Sequence, residues 1–163
     1  MGGRGAISRG GGGSGGGNGE RKVADGFTRT YKSESGGVVD TEQGRLDQAN
    51  KNKQEWQKYE KEHNIAKKVA DEGNFVEHLD DKHLPDGSYD SRINGVKAEL
   101  KETKGHSNVV RYGKEAIYEQ KAEMVVFNFT QFSSKTQAAI DELTRNGIHG
   151  WYYKPGEATH YEF

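Results

Sequence analysis

The stretch YDSRINGVKAELK at residues 89–101 constrains this chain more than any other. Asn94-Gly95 between two alternating segments is the signature of a two-residue type I′ β-turn, which needs positive φ at both central positions. Such a turn fixes the register, setting Ile93 opposite Val96, Arg92 opposite Lys97, Ser91 opposite Ala98, Asp90 opposite Glu99 and Tyr89 opposite Leu100. Cross-strand partners share a face and successive residues alternate. One face then carries Tyr89, Ser91, Ile93, Val96, Ala98 and Leu100, and the other Asp90, Arg92, Lys97, Glu99 and Lys101. Asp90 and Glu99 are expected opposite each other with Cβ atoms roughly 5 Å apart, which is destabilising unless something neutralises them.

The chain has 163 residues and a formal net charge of -1, with 31% hydrophobic residues and a mean hydropathy of -1.04. Part of that polarity is local, since eleven of the 23 glycines lie in residues 1–19. Residues 1–37 are expected to be a disordered Gly/Ser-rich tail or linker, and residues 38–163 a single domain. No bulk charge advertises polyanion binding, so any nucleic-acid contact must come from a local patch. The absence of cysteine excludes a disulfide framework and a thiolate metal site, and fits a cytoplasmic protein. No run approaches the roughly 20 apolar residues of a membrane span, the longest being Met124-Val125-Val126-Phe127, and no apolar signal-peptide core opens the chain.

From about Thr41 to Glu72 the sequence is proline-free and rich in helix formers, with Gly73-Asn74 as a stop. Trp56, Tyr59, Ala66, Val69 and Ala70 follow helical spacing, and the stripe fades between Ala49 and Gln54, where a break is expected. Strands are expected at 75–79, at the two arms of the hairpin, at 124–129, and in a final hairpin at 148–153 and 159–163. Helices are expected over 107–122 and from Ser133 or Ser134 to Arg145. The order αβββαβαββ, a long N-terminal helix followed by a mixed sheet with two packing helices, is an α+β layer architecture.

On this order Asp90 sits on the second strand and Glu99-x-Lys101 on the third. Paired carboxylates suit a hard divalent cation such as Mg²⁺ or Mn²⁺, which lowers the pKa of a bound water and stabilises charge on phosphate oxygens. Lys101 would orient that water or stabilise the transition state, and Glu62 on the long helix would complete the metal's shell. The competing reading makes the same five charged residues the solvated face of an amphipathic hairpin. The direct Asp90–Glu99 opposition argues against it, since Asp–Lys or Glu–Arg pairings would suit such a face better. His149, between Gly147 and Gly150, and His106 are candidate general bases for a metal-free RNase. Trp151, Tyr152 and Tyr153 read as core and strand formers rather than base-stacking platforms.

YDSRINGVKAELK, SNVV and AIYEQKAEMVVFNFT together resemble the C-terminal tRNase domain of contact-dependent growth-inhibition toxins and related phage and mobile-element nuclease domains. The matching positions are Asp90, Ile93-Asn94-Gly95, Glu99-Leu100-Lys101, Gln120 and Val125-Val126-Phe127, within a resemblance covering roughly residues 55–163. It implies a PD-(D/E)XK-like fold and a metal-dependent endoribonuclease cleaving tRNA, with Asp90, Glu99, Lys101 and Gln120 in the catalytic set, to which the residue reading adds His149 as a candidate base. It also implies a cognate immunity protein as partner. Ser91 stands where those domains carry a large apolar residue, and Lys97 where a proline or small residue is frequent. Toxins of this group divide between that fold and a metal-free barnase/EndoU/colicin/RelE-like one. A DNA endonuclease and a non-catalytic virion module are the remaining alternatives.

Overall fold

The computed structural model describes residues 20–163. The part of the expected tail at 1–19 lies outside the described residues. Mixed α/β structure fills the rest: eight strands, four α-helices and one π-helical turn. The described residues divide into two compact units, residues 20–80 with 91–96, and residues 81–90 with 97–163.

Unit 1 opens with β1 (Phe27–Lys32) and β2 (Val38–Glu42), an antiparallel pair joined through Gly36 and Gly37. These strands occupy sequence expected as tail and as helix start, so two strands precede the helical region and the expected N-terminal helix is not N-terminal. FTRTYK carries the aromatic and β-branched residues that strands favour, a signal masked by the glycines around it. α1 (Gln43–Ala49) and α2 (Lys53–Asp71) follow. The chain breaks between them at 50–52, where Asn52 restarts the helix by accepting the Glu55 N–H at 2.9 Å. α2 buries Tyr59, Ile65, Ala66, Val69 and Ala70 and packs on β2 and β3 (Phe75–His78).

β3 runs parallel to β2 and antiparallel to β4 (Ser91–Ile93). All four residues Val38–Thr41 are buried, as expected of a strand flanked on both sides. The buried Asp40 carboxylate is met by the Arg29 guanidinium, Nε to Oδ1 at 2.8 Å and Nη2 to Oδ2 at 3.1 Å. After β4 comes the turn foreseen from the sequence, with Asn94 at φ 51° and Gly95 at φ 86°. Asn94 is also stapled to the start of β3: its Oδ1 accepts the Phe75 N–H at 2.9 Å and its Nδ2 donates to Asn74 at 2.9 Å.

In unit 2, β5 (Val96–Thr103, counted here from Lys97), β6 (Met124–Phe129) and β7 (Gly150–Tyr153) are parallel, and β8 (Tyr161–Glu162) returns antiparallel to β7. α3 (Val109–Lys114) widens into a π-helical turn at Glu115–Glu119, and α4 (Ser134–Arg145) connects β6 to β7. The expected helix over 107–122 is thus shorter and changes pitch halfway. Ser133 and Thr136 form a capping box at the start of α4, the Ser133 N–H reaching Thr136 Oγ1 at 3.1 Å. Val109, Ala116, Val125, Phe127, Phe129, Ile140, Leu143, Ile148 and Tyr152 close the core.

Candidate active site

Asp90 is the last residue before β4, and Glu99 and Lys101 lie on β5. Asp90 and Glu99 are buried, at 2% and 4% exposure, so they are not part of a solvated face. Each acid caps the backbone of the other's neighbourhood. The Asp90 N–H donates to Glu99 Oε1 at 2.9 Å. The Leu100 N–H is shared by the two Asp90 carboxylate oxygens, at 3.1 and 3.3 Å. The acidic pair is therefore locked together through main-chain donors at the point where β4 gives out.

Lys101 completes the group, its ammonium lying 3.2 Å from Glu99 Oε2. The Lys101 head also sits 5.3 Å from the centre of the Tyr112 ring on α3, which carries the Arg111 guanidinium at 4.8 Å as well. A cation between a carboxylate and an aromatic face has its long side chain narrowed to few rotamers. Lys97, expected on the same face, pairs instead with Asp86 at 2.8 Å. Arg92 pairs with Glu77 at 3.2 Å in unit 1.

The remaining expected site residues are placed differently. Gln120 ends the π-helical turn, and its backbone carbonyl accepts the Ser88 N–H at 3.0 Å, fastening the segment that leads to Asp90. Its side-chain Oε1 is buried without a hydrogen-bond partner. His149 is exposed just before β7. The register sets Glu99 opposite Val125 and Val125 opposite Gly150, so His149 stands two strands from Glu99, about 10 Å away. It is not gathered with the carboxylates. His106 is likewise exposed, in the turn before α3.

Glu62 belongs to unit 1, where other groups engage it. Its Oε1 accepts from Arg45 Nη2 at 3.1 Å and meets His78 Nε2 at 2.9 Å. Burial works to raise the Glu62 carboxyl, but the His78 and Arg45 donors outweigh it and hold the group below its ordinary value. Tyr59 stacks on His78 and on His63, both at 5.2 Å between ring centres. His63 Nε2 is 2.8 Å from Thr30 Oγ1, and burial, with His78 and Lys67 nearby, pushes its pKa down to about 4. This cluster was not foreseen. Tyr59, Glu62 and His63 are one helical turn on α2, but nothing in the sequence says that Arg45 and His78 return to it.

The donor set of unit 2 suits a hard cation in number and kind. Mg²⁺ takes one or two carboxylates and keeps several waters, and Asp90 with Glu99 supply the carboxylates. Among the described residues, no group of three or more His, Asp or Glu side chains is arranged to hold a metal ion. Glu62 belongs to the other unit, and the carboxylates that unit 2 itself brings together for an ion are Asp90 and Glu99. Searches of family models, curated proteins and solved structures found no match to this chain.

Proposed function

We propose that unit 2 carries a metal-dependent endoribonuclease centre built from Asp90, Glu99 and Lys101. The observation that carries the reading is the buried acidic pair locked through the Asp90 and Leu100 amides, with the Lys101 ammonium at Glu99. Two carboxylates are seldom buried side by side for packing alone, because each must be compensated. Asp90 and Glu99 would hold Mg²⁺ or Mn²⁺, which when bound supplies an activated water and charge stabilisation at phosphate. Lys101, steadied by Tyr112, would place its ammonium at an oxygen of the reacting phosphodiester. Gln120 holds the 86–90 segment through Ser88, so its part is positional. His149 has no part in this centre.

RNA as substrate, tRNA in particular, and a cognate immunity protein rest on the sequence resemblance to growth-inhibition tRNase domains, as does the PD-(D/E)XK assignment. Purified full-length protein incubated with total tRNA should cleave it in Mg²⁺, stop in EDTA, and recover when the ion is restored. Glu99→Gln should fold and leave tRNA intact. Cleavage unaffected by EDTA would turn the assignment to a metal-free RNase, and a fully active Glu99→Gln protein would end it.

A further inference from the structure

Three of the buried side-chain atoms without a hydrogen-bond partner belong to one corner of unit 1: Arg45 Nη1, His78 Nδ1 and Ser91 Oγ. Their residues are 5%, 0% and 0% exposed. Arg45 and His78 meet at the same oxygen, Glu62 Oε1. Ser91 is the register partner of His78 across the β3–β4 pair, which puts both side chains on one face with Cβ atoms about 5 Å apart. Buried polar groups are nearly always satisfied, so three orphans, two on the residues that share the Glu62 oxygen and one on the register partner of His78, mark a place built to meet a polar ligand.

We infer that Arg45, His78 and Ser91 form a binding site for a small protonated oxyanion, of the class of hydrogen phosphate or a phosphate monoester. The inference stands apart from the Asp90–Glu99 centre and uses none of its residues. The donor inventory selects the ligand. Arg45 Nη1 only donates, and Ser91 Oγ donates or accepts. Glu62, ionised, only accepts, so the bond to His78 Nε2 places that ring's proton on Nε2 and leaves Nδ1 to accept when the ring is neutral. A ligand matching all three offers acceptor oxygens to Arg45 and Ser91 and one O–H to His78. Hydrogen phosphate carries both; sulfate at neutral pH has no proton to give.

Glu62 also explains why the guanidinium and imidazole are held ready. By binding one nitrogen of each through a single oxygen, it fixes their planes, and the stack of Tyr59 on His78 with Arg45 5.3 Å from the Tyr59 ring keeps them there. Glu62 keeps 15% side-chain exposure, so the corner borders solvent on the α2 side.

Thermal unfolding of the full chain, titrated with sodium phosphate against sodium chloride at matched ionic strength, tests the site, because a ligand bound only by the folded state raises the midpoint. A saturable rise specific to phosphate is expected, larger than with sulfate. Arg45→Lys, which keeps the charge and loses the planar fork, should weaken the fitted phosphate affinity about tenfold, as loss of a charge-assisted bond implies. Ser91→Ala should weaken it several-fold; it removes one oxygen and keeps the fold testable if Arg45→Lys unfolds. A response equal to chloride, or unchanged in both variants, overturns the site. Equal responses to phosphate and sulfate overturn the protonated-oxyanion assignment.

Discussion

Replacing Asp90 separates what its carboxylate does for the fold from what it would do for chemistry. The Leu100 N–H it receives is buried, with Leu100 at 2% exposure. A hydrogen bond to a charged group contributes about 1.5–3 kcal/mol, and a buried donor left unmet costs about 1–3 kcal/mol, two descriptions that largely overlap. Asp90→Ala should therefore destabilise the protein by about 1.5–3 kcal/mol. Asp90→Asn keeps an acceptor oxygen at the same place and should cost about 1 kcal/mol, while removing a charge that a divalent ion needs. Urea unfolding followed by tryptophan fluorescence gives the stabilities, and amide hydrogen exchange at Leu100 gives the local consequence. The Leu100 amide should lose protection in Asp90→Ala and keep most of it in Asp90→Asn. An alanine variant within about 0.5 kcal/mol of wild type, or one whose Leu100 amide stays protected, would refute the capping role. Asn at this position should then be folded and catalytically silent in the tRNA assay.

Other outcomes follow from particular contacts. Removing Arg29 as Arg29→Met strands the buried Asp40 carboxylate and should cost about 3–5 kcal/mol, read by urea unfolding. His63 takes up its proton more readily unfolded than folded, so stability is full above its ordinary pKa and falls as pH drops from 6.5 toward 4. With the ring partly open to solvent the loss should be on the order of 1–2 kcal/mol, and His63→Gln should flatten that slope. A methyl group at Gly150 would lie 1.8 Å from the Val125 carbonyl oxygen. Gly150→Ala must push β6 and β7 apart, and little folded protein should be recovered on expression. Tyr112→Leu should broaden the Lys101 Nζ resonance and slow cleavage, whereas Tyr112→Phe keeps the ring face and should resemble wild type.

Signals carried by adjacent residues were legible. Asn94-Gly95 gave the turn, Met124–Phe129 the buried strand, and Ser133 with Asn146-Gly147 the two ends of α4. The proximity of Asp90 and Glu99 was readable because one two-residue turn determines it. Their burial was not, since the alternation put them on a face rich in charge. β1 was lost because its six residues sit between glycine-rich stretches. The partners of Glu62 were not legible, because helical periodicity shows which face of α2 is apolar but not what arrives opposite it. Arg45 and His78 come from 17 and 16 residues away in sequence, a pairing that only the fold creates.

The division of the described residues into 20–80 with 91–96, and 81–90 with 97–163, has a consequence for the protein's synthesis. The first unit lacks its fourth strand, and the Asn94 staple on Phe75, until Val96 has left the ribosome. By then the ten residues 81–90, which belong to the second unit, have already emerged with nothing to pack on. Neither half can be finished before the other has begun, so a break anywhere from 81 to 96 should leave both fragments short of a piece, and vectorial folding here must proceed by suspension rather than by completing one body before starting the next.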